Sequence, residues 1–465
     1  MFSDHDSTRR TLAVKVLFRV VMLQLFFWTT SLSVNATLLL TDSVSGAMQI
    51  SDIPDSLWSV NSVKFAGNFH TKDFVILREM TLRPGAPITK ALLYYDQDRI
   101  YSLRLFNKVS LFVVPSDSPG LAHILVEVSE RWYLFPYPIF GIRDRDWKKI
   151  FYGIGLLYYN FRGRNEKLFA SFILGYDPSL SLSYRNPFLD QQGTYSLDGG
   201  ISASRVHNRS ILAQSGTENF QEHHIAVSLA IGKRFGIVHA LSLRGGFEYV
   251  GIDVPMAGRT LSATGIDRYP TVSIGYSYDT RNLAEYPSEG TFFSGNMTKY
   301  GFPGKDIDYV RYAFDVRKFV PLSSSLTIAG RTFVNVVAAG ATPSYNHTYF
   351  GYGDRIRGHF REVWEGEEVL GVTTELHYTL LPPLYFTIGK LPAEFSIGRF
   401  GIVVALFADA GTVWFRKQPL AINHFIRGYG AGLHFLLPYS IVLRTEYALN
   451  ERRRGEFIID VGSSL

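Results

Sequence analysis

Residues 271–279 read Thr-Val-Ser-Ile-Gly-Tyr-Ser-Tyr-Asp, and the period of this stretch decides the fold. Val272, Ile274, Tyr276 and Tyr278 alternate with Ser273, Gly275, Ser277 and Asp279. Successive side chains of a strand point to opposite faces, so one face here is apolar and aromatic and the other small or polar. The same alternation recurs in Ile225 to Gly232, in Leu180 to Arg185 and in Glu456 to Gly462. Tyr, Phe and Trp gather near the strand ends, as they do in the interfacial girdles of membrane barrels.

Working outward from this stretch, sixteen such strands can be placed. They begin near Phe135, Phe151, Leu168, Leu180, Thr194, Ile225, Leu241, Tyr269, Thr291, Tyr309, Leu326, Leu370, Ile402, Gly428, Ile441 and Glu456. An even count closes an antiparallel barrel with both chain ends on one side of a membrane. The expected fold is mainly β, a sixteen-stranded antiparallel transmembrane β-barrel over residues 135–465.

Composition agrees. The chain has 465 residues, 46% of them hydrophobic and 15% aromatic, with 41 glycines and a net charge of +6. A chain this apolar and this weakly charged is not disordered. The modest charge gives no footprint for nucleic acid. With no cysteine, disulfides, thiol catalysis and cysteine-ligated metals are all excluded. The mean hydropathy of +0.04 is too low for a helical membrane protein and suits a barrel, where only alternate residues meet lipid.

Before the barrel lie three further segments. Residues 1–36 read as a signal peptide, with Arg9, Arg10, Lys15 and Arg19 ahead of an apolar stretch from Val20 to Val34. Residues 37–57 read as a linker. Residues 58–131 read as one small α+β domain in the order strand, helix, helix, strand, strand. Its helices are expected over Thr71 to Met80 and from Pro87 onward, burying Leu92, Leu93, Ile100 and Leu103. Its strand from Lys108 to Val114, with Val109, Leu111 and Val113 on one face, is expected to be a free sheet edge able to dock an extended chain.

The longest outward connection, Ala338 to Glu368, carries Ile356, Arg357 and Gly358. In the twelfth barrel strand Leu370, Val372, Leu376 and Tyr378 face lipid, so Glu375 and His377 face the lumen. In the thirteenth strand the same parity turns Phe407, Asp409 and Gly411 inward. Two inward carboxylates need a cation, and a folded-in Arg357 would supply a planar fork of donors. Gly358 would let the loop backbone approach the wall.

At these residues the sequence resembles the BamA/TamA superfamily of outer-membrane assembly factors, the bacterial surface antigens. Ile356-Arg357-Gly358 matches the loop-six motif of that family, and Phe407 to Gly411 its Phe-x-Asp-x-Gly motif on strand thirteen. Glu375 matches its acidic position on strand twelve. Asp279-Thr280-Arg281-Asn282, with Pro287 and Gly290, matches a family turn between strands eight and nine. Gly67-Asn68, Ile76 to Glu79, Gly85 and Leu105-Phe106 resemble a POTRA domain. Three features depart from the pattern: His359 stands where an aromatic is usual, the chain ends without one, and there is a single POTRA domain.

The resemblance implies an outer-membrane protein with its POTRA domain in the periplasm. It implies insertion of barrel proteins or movement of polypeptides across the membrane. Partners would be the outer-membrane lipid bilayer, unfolded outer-membrane or secreted clients, and a periplasmic or inner-membrane protein at the POTRA domain. The alternative is a passive outer-membrane pore or lipid-export conduit with a POTRA docking domain. No phosphate-binding loop and no nucleophile elbow is found, so no enzyme, cofactor or metal is expected. Gly428 to Gly432 opens a strand and is read as barrel wall.

Overall fold

The computed structural model describes residues 47–53, 58–143, 147–190, 192–208, 210, 221–253, 259–359 and 362–462. The expected signal peptide lies outside them.

The first body is the α+β domain. Its strands are β1 (Met48–Gln49), β2 (Ser59–Ala66), β3 (Phe106–Pro115) and β4 (Leu121–Glu130), in the order β1-β3-β4-β2. Two helices cover one face, α1 (Asp73–Leu77) and α2 (Lys90–Tyr101). Val75, Ile76, Leu93, Ile100, Leu111, Val113, Ile124 and Val126 form its core. Thr89 caps α2 by accepting from the Leu92 amide at 3.2 Å, so the helix starts at Lys90 and not at Pro87. The first helix is only one turn long, short of the Thr71-to-Met80 expectation. Its cap residue Lys72 makes no side-chain cap bond, and Met80 turns into the core after the helix ends.

The expectation of a free edge at Lys108 to Val114 needs correction. β1, from the segment read as a linker, pairs antiparallel with β3 at Met48–Val113 and Gln49–Phe112. That end of the edge is occupied by the chain itself. Val109, Leu111 and Val113 point into the domain core, so only backbone of the remaining edge is on offer. A two-residue strand is too short to show any period, which is why the sequence hides it.

The second body is one antiparallel sheet of sixteen strands. It runs from β5 (Leu134–Ile142) through β6 (Ile150–Phe161), β7 (Glu166–Gly175), β8 (Ser179–Asn186), β9 (Tyr195–His207), β10 (Gln221–Phe235), β11 (His239–Ile252), β12 (Ile266–Asp279), β13 (Gly290–Gly301), β14 (Asp308–Pro321) and β15 (Leu326–Ala339). After a long loop holding a small hairpin, β16 (Thr348–Phe350) with β17 (Trp364–Gly366), come β18 (Glu368–Thr387), β19 (Ile397–Trp414), β20 (Ile426–Leu437), β21 (Ile441–Asn450) and β22 (Gly455–Val461). β15 pairs directly with β18, so the loop is an insertion between neighbours. Val272, Ile274 and Tyr276 face outward and are half exposed, as the alternation requires. β5 and β22 stand at the two ends of the sheet order, and no ladder joins them among the described residues.

The small domain sits against the short turns of the barrel. Phe188, from the turn after β8, is buried in the small domain's core and meets Phe74 edge to face, with ring centres 6.0 Å apart. Full burial of one such ring contributes ~1.5–3 kcal/mol. The Lys72 amide donates to the Gly163 carbonyl, Arg78 to Gly193, Asn107 to Glu394 and Arg131 to Tyr439. Glu79 binds Arg99 of its own domain at 2.7 Å and Arg234 at the end of β10 at 2.6 Å. Both arginines also donate to the Ile237 carbonyl. Burial pulls the Glu79 carboxyl up, but the charges and hydrogen bonds of Arg234 and Arg99 outweigh it and hold the group below its ordinary range.

Candidate functional site in the barrel lumen

The long loop turns back into the barrel and delivers Arg357 to its inner wall. Ile356 anchors the turn by packing with Phe350 and Val369. The Arg357 guanidinium grips Asp409 of β19 with both arms, Nε to Oδ2 and Nη2 to Oδ1, each at 2.7 Å. Its Nη1 lies 2.7 Å from Glu375 Oε1 of β18 and donates to Glu446 Oε1 of β21 at 3.0 Å. The Arg357 amide adds a bond to Asp409 Oδ2 at 3.2 Å. Below, the Phe407 ring takes the cation on its face, 3.6 Å from its centre. One side chain thus ties three strands together through charge-assisted bonds.

The wall is shaped to receive the loop. A Cβ on Gly428 would stand 1.7 Å from the Arg357 carbonyl oxygen, so only glycine lets strand and loop touch there. Gly411 lies beneath Phe350 and Ile356. Gly358 has φ of +97°, and its amide donates to Glu456 Oε1 at 2.7 Å while its carbonyl accepts from Asn450 at 3.2 Å. His359, in the position of departure, has Nε2 2.8 Å from Glu451 and 3.1 Å from the Arg427 carbonyl. Beside the cluster is a cavity of about 420 Å³ whose lining includes Arg331, Asp354 and Arg444, so one flank is open to water.

A second layer holds the carboxylates. His377 lies 2.6 Å from Glu375, and His434 lies 3.1 Å from Glu446. Arg444 reaches Glu446 at 3.3 Å and Asp460 of β22 at 2.7 Å. The Tyr286 hydroxyl meets His434 Nδ1 at 2.8 Å, and its ring packs on His377.

Tyr286 belongs to the turn between β12 and β13, which carries the Asp279, Arg281 and Gly290 pattern. Arg281 clamps Asp279 with bonds of 2.9 and 2.8 Å and covers the Phe292 ring, while Gly290 opens β13. These three are not part of the Arg357 cluster. They set the shape of a turn that reaches up to it through Tyr286 and down to the small domain. Toward that domain, the Ala284 amide donates to Ser102 Oγ at 2.9 Å and Asn282 lies 3.4 Å from Asp98, while Glu285 pairs with Arg399 of β19, which in turn covers the Tyr101 ring.

Asp98 titrates in a useful range. Burial pushes its carboxyl up to about 6, against weaker opposing help from Asn282 and Arg399. The folded state therefore holds its proton more tightly than the unfolded one. No cost arises below about pH 4, where both states are protonated; the cost grows to about pH 6 and then stays constant. Asp98→Asn is expected to stabilise the fold at pH 7.5 by on the order of 1–2 kcal/mol, read as a higher thermal midpoint, and to change little at pH 4. Equal midpoints at pH 7.5 would show that Asp98 is solvated there.

Arg357, Glu375 and Asp409 meet as the sequence leads one to expect, and Glu446 joins them unannounced. The signal was present: Leu443, Thr445 and Tyr447 alternate with Arg444 and Glu446, so the parity that turns Asp409 inward does the same on β21. The run Gly428 to Gly432 belongs to the barrel wall, and Gly428 is also the seat of the loop. Val109, Leu111 and Val113 lie far from this cluster, in the core of the small domain.

Residues 160–464 match the model of the Omp85 superfamily domain, and residues 59–131 match the POTRA model described as a surface antigen variable number repeat. The chain is 24% identical over 317 residues to the outer membrane protein assembly factor BamA of Nitratidesulfovibrio vulgaris, covering 64% of this chain. It spans only 37% of that relative's length. CdiB from Escherichia coli shares the fold at a TM-score of 0.54 and 12% identity, over 87% of this chain and 75% of that one. BamA from Haemophilus ducreyi lacking POTRA domains 1–3 aligns over 87% of this chain and 83% of that one, at a TM-score of 0.49 and 17% identity.

Proposed function

Because this chain belongs to the Omp85 superfamily, an outer-membrane barrel with a periplasmic POTRA domain, we propose that it receives unfolded barrel proteins from the periplasm and inserts them into the membrane. The observation that carries this reading is the pairing of a held wall with an open seam. Arg357 fastens β18, β19 and β21 to the inserted loop, while no ladder joins β5 and β22 among the described residues. Lipid offers no hydrogen-bond partner, so an unpaired strand edge at membrane depth favours any chain that can pair with it. The Arg357 cluster, on this reading, keeps the rest of the wall in register while the seam exchanges partners. The POTRA domain presents clients from below, and the part of β3 that β1 leaves uncovered is the edge available for an extended segment.

The test is depletion of the protein followed by a quantitative outer-membrane proteome. A fall in many barrels supports insertion. Loss of one secreted protein from the medium would instead make the chain a polypeptide translocase. An unchanged proteome with altered outer-leaflet lipids would make it a lipid conduit.

A further inference from the structure

One aromatic side chain of the POTRA domain is held entirely in the open. Phe69 is 97% exposed, although the loop that carries it is pinned on both sides. Before it, the Asn68 side-chain amide donates to the Thr71 carbonyl at 3.0 Å and to Asp73 at 2.7 Å. After it, the His70 and Thr71 amides donate to the two carboxylate oxygens of Glu130, at 3.0 and 2.7 Å. The same loop then meets the barrel. His70 Nε2 lies 2.9 Å from the Asn160 carbonyl, and the Lys72 amide donates to the Gly163 carbonyl at 2.9 Å. Phe69 therefore stands on a fixed loop seated against the turn between β6 and β7. The entropy cost of ordering its backbone is already met by those bonds.

That turn is part of the inner rim of the lipid-facing wall. Ile154 and Leu156 face outward on β6, and Tyr158 shares their parity. The Phe161 ring meets Tyr158 with centres 5.4 Å apart. Arg162 lies over Phe161 and donates to the Tyr184 hydroxyl at 3.2 Å. Tyr184 shares its face of β8 with the exposed Leu180 and Leu182. Farther round the rim, on the outward face that carries Leu229 and Ile231, the Lys233 ammonium lies 5.6 Å from the Tyr195 ring and 5.2 Å from Phe235. Aromatic rings with basic groups beside them, at the ends of lipid-facing strands, mark the headgroup level of a bilayer.

A single exposed apolar side chain is ordinary where it meets water. Phe69 stands instead beside this belt, next in sequence to the residue that touches Asn160. Moving its ring out of water into the interface recovers a transfer free energy that folding leaves unused. Lys72 is exposed and forms no ion pair among the described residues, so its ammonium is available to a lipid phosphate. We propose that Phe69 enters the headgroup layer of the periplasm-facing leaflet and fastens the POTRA domain to lipid, as Glu79 fastens it to the barrel. The occupant of this surface is the phospholipid bilayer, because the ring continues a belt that already meets it. Tied to protein at Glu79 and to lipid at Phe69, the domain is held against swinging about its joint. This inference needs the barrel's place in the outer membrane and does not need the insertion reading.

The chain has no cysteine, so one introduced cysteine can be labelled alone. The test is power-saturation EPR of the full chain in nanodiscs of phosphatidylethanolamine and phosphatidylglycerol. A nitroxide is attached in turn at Phe69→Cys, at Tyr195→Cys in the belt, and at Asp117→Cys. Asp117 is exposed beyond the end of β3 opposite the Asn107 contact with the barrel. The ratio of oxygen to nickel-chelate accessibility is expected to be severalfold higher at 69 than at 117, and close to that at 195. A ratio at 69 equal to that at 117 would overturn the membrane contact. A second measurement keeps the native ring: a nitroxide at Lys72→Cys is read with Phe69 intact and with Phe69→Ser. The ratio at 72 is expected to fall severalfold with serine. An unchanged ratio would show that the neighbouring barrel alone brings the loop to lipid, and would overturn the role of Phe69. If a periplasmic extract shields the label at 69 from oxygen and nickel together, the surface belongs to a protein partner and the lipid contact is overturned.

Discussion

Arg357→Ala is expected to lower the heat stability of the barrel more than any other single change in the lumen. The substitution leaves Asp409, Glu375 and Glu446 converging on one point without their cation. Breaking a buried ion pair by removing one partner costs ~3–5 kcal/mol where the site is dry. Here a water-accessible cavity borders the cluster, so roughly 2–4 kcal/mol is expected. The loop loses its grip on three strands together, so the thermal midpoint and the activity should fall in parallel. Arg357→Lys should recover only part of the loss, because a point charge cannot reproduce the two-armed grip on Asp409 and also reach Glu446. Gly428→Val should imitate Arg357→Ala by a different route, since its side chain would strike the Arg357 carbonyl. The check is heat-modified gel mobility of the purified protein. An alanine variant melting with the unaltered protein would show that the arginine does not hold the wall.

Glu79→Ala is the second large effect, and it acts on the joint between the bodies. It strands Arg99 and Arg234 near each other with no anion between them, both mostly buried. Removal of the central partner is again a loss of ~3–5 kcal/mol at the dry limit, and somewhat less here because Arg234 is partly exposed. The POTRA domain should separate from the barrel while remaining folded, because Phe188 is the one buried residue of its core cluster that the barrel supplies among the described residues. Limited proteolysis in the link near Trp132 should become fast. Arg234→Ala should be milder, since the Glu79–Arg99 pair survives within the domain. Proteolysis of the Glu79→Ala protein at the unaltered rate would mean that Phe188 and the backbone bonds suffice to hold the domain.

What the sequence reveals follows from how local each feature is. The sixteen strands were legible because period-two alternation is repeated within each strand. Arg357, Asp409 and Glu375 were legible because parity gives the direction of each side chain and the family motifs give their association. The joint was not legible. Glu79 and Arg234 are 155 positions apart, and nothing around either names the other. β1 was hidden by its brevity, and so a free edge was expected where the chain covers part of its own sheet.

The position of the POTRA domain against the short turns bears on how tightly the envelope is sealed. A sixteen-stranded wall encloses a channel wide enough for small solutes unless something fills it. In this molecule the inserted loop occupies the lumen from the outer side, and the POTRA domain lies against the turns at the inner mouth. Two stoppers in series leak only when both are displaced at once, so the leak scales as the product of two small populations. A solute crossing the barrel therefore meets two separate bodies, one held by the Arg357 cluster and one by the contacts at the turns.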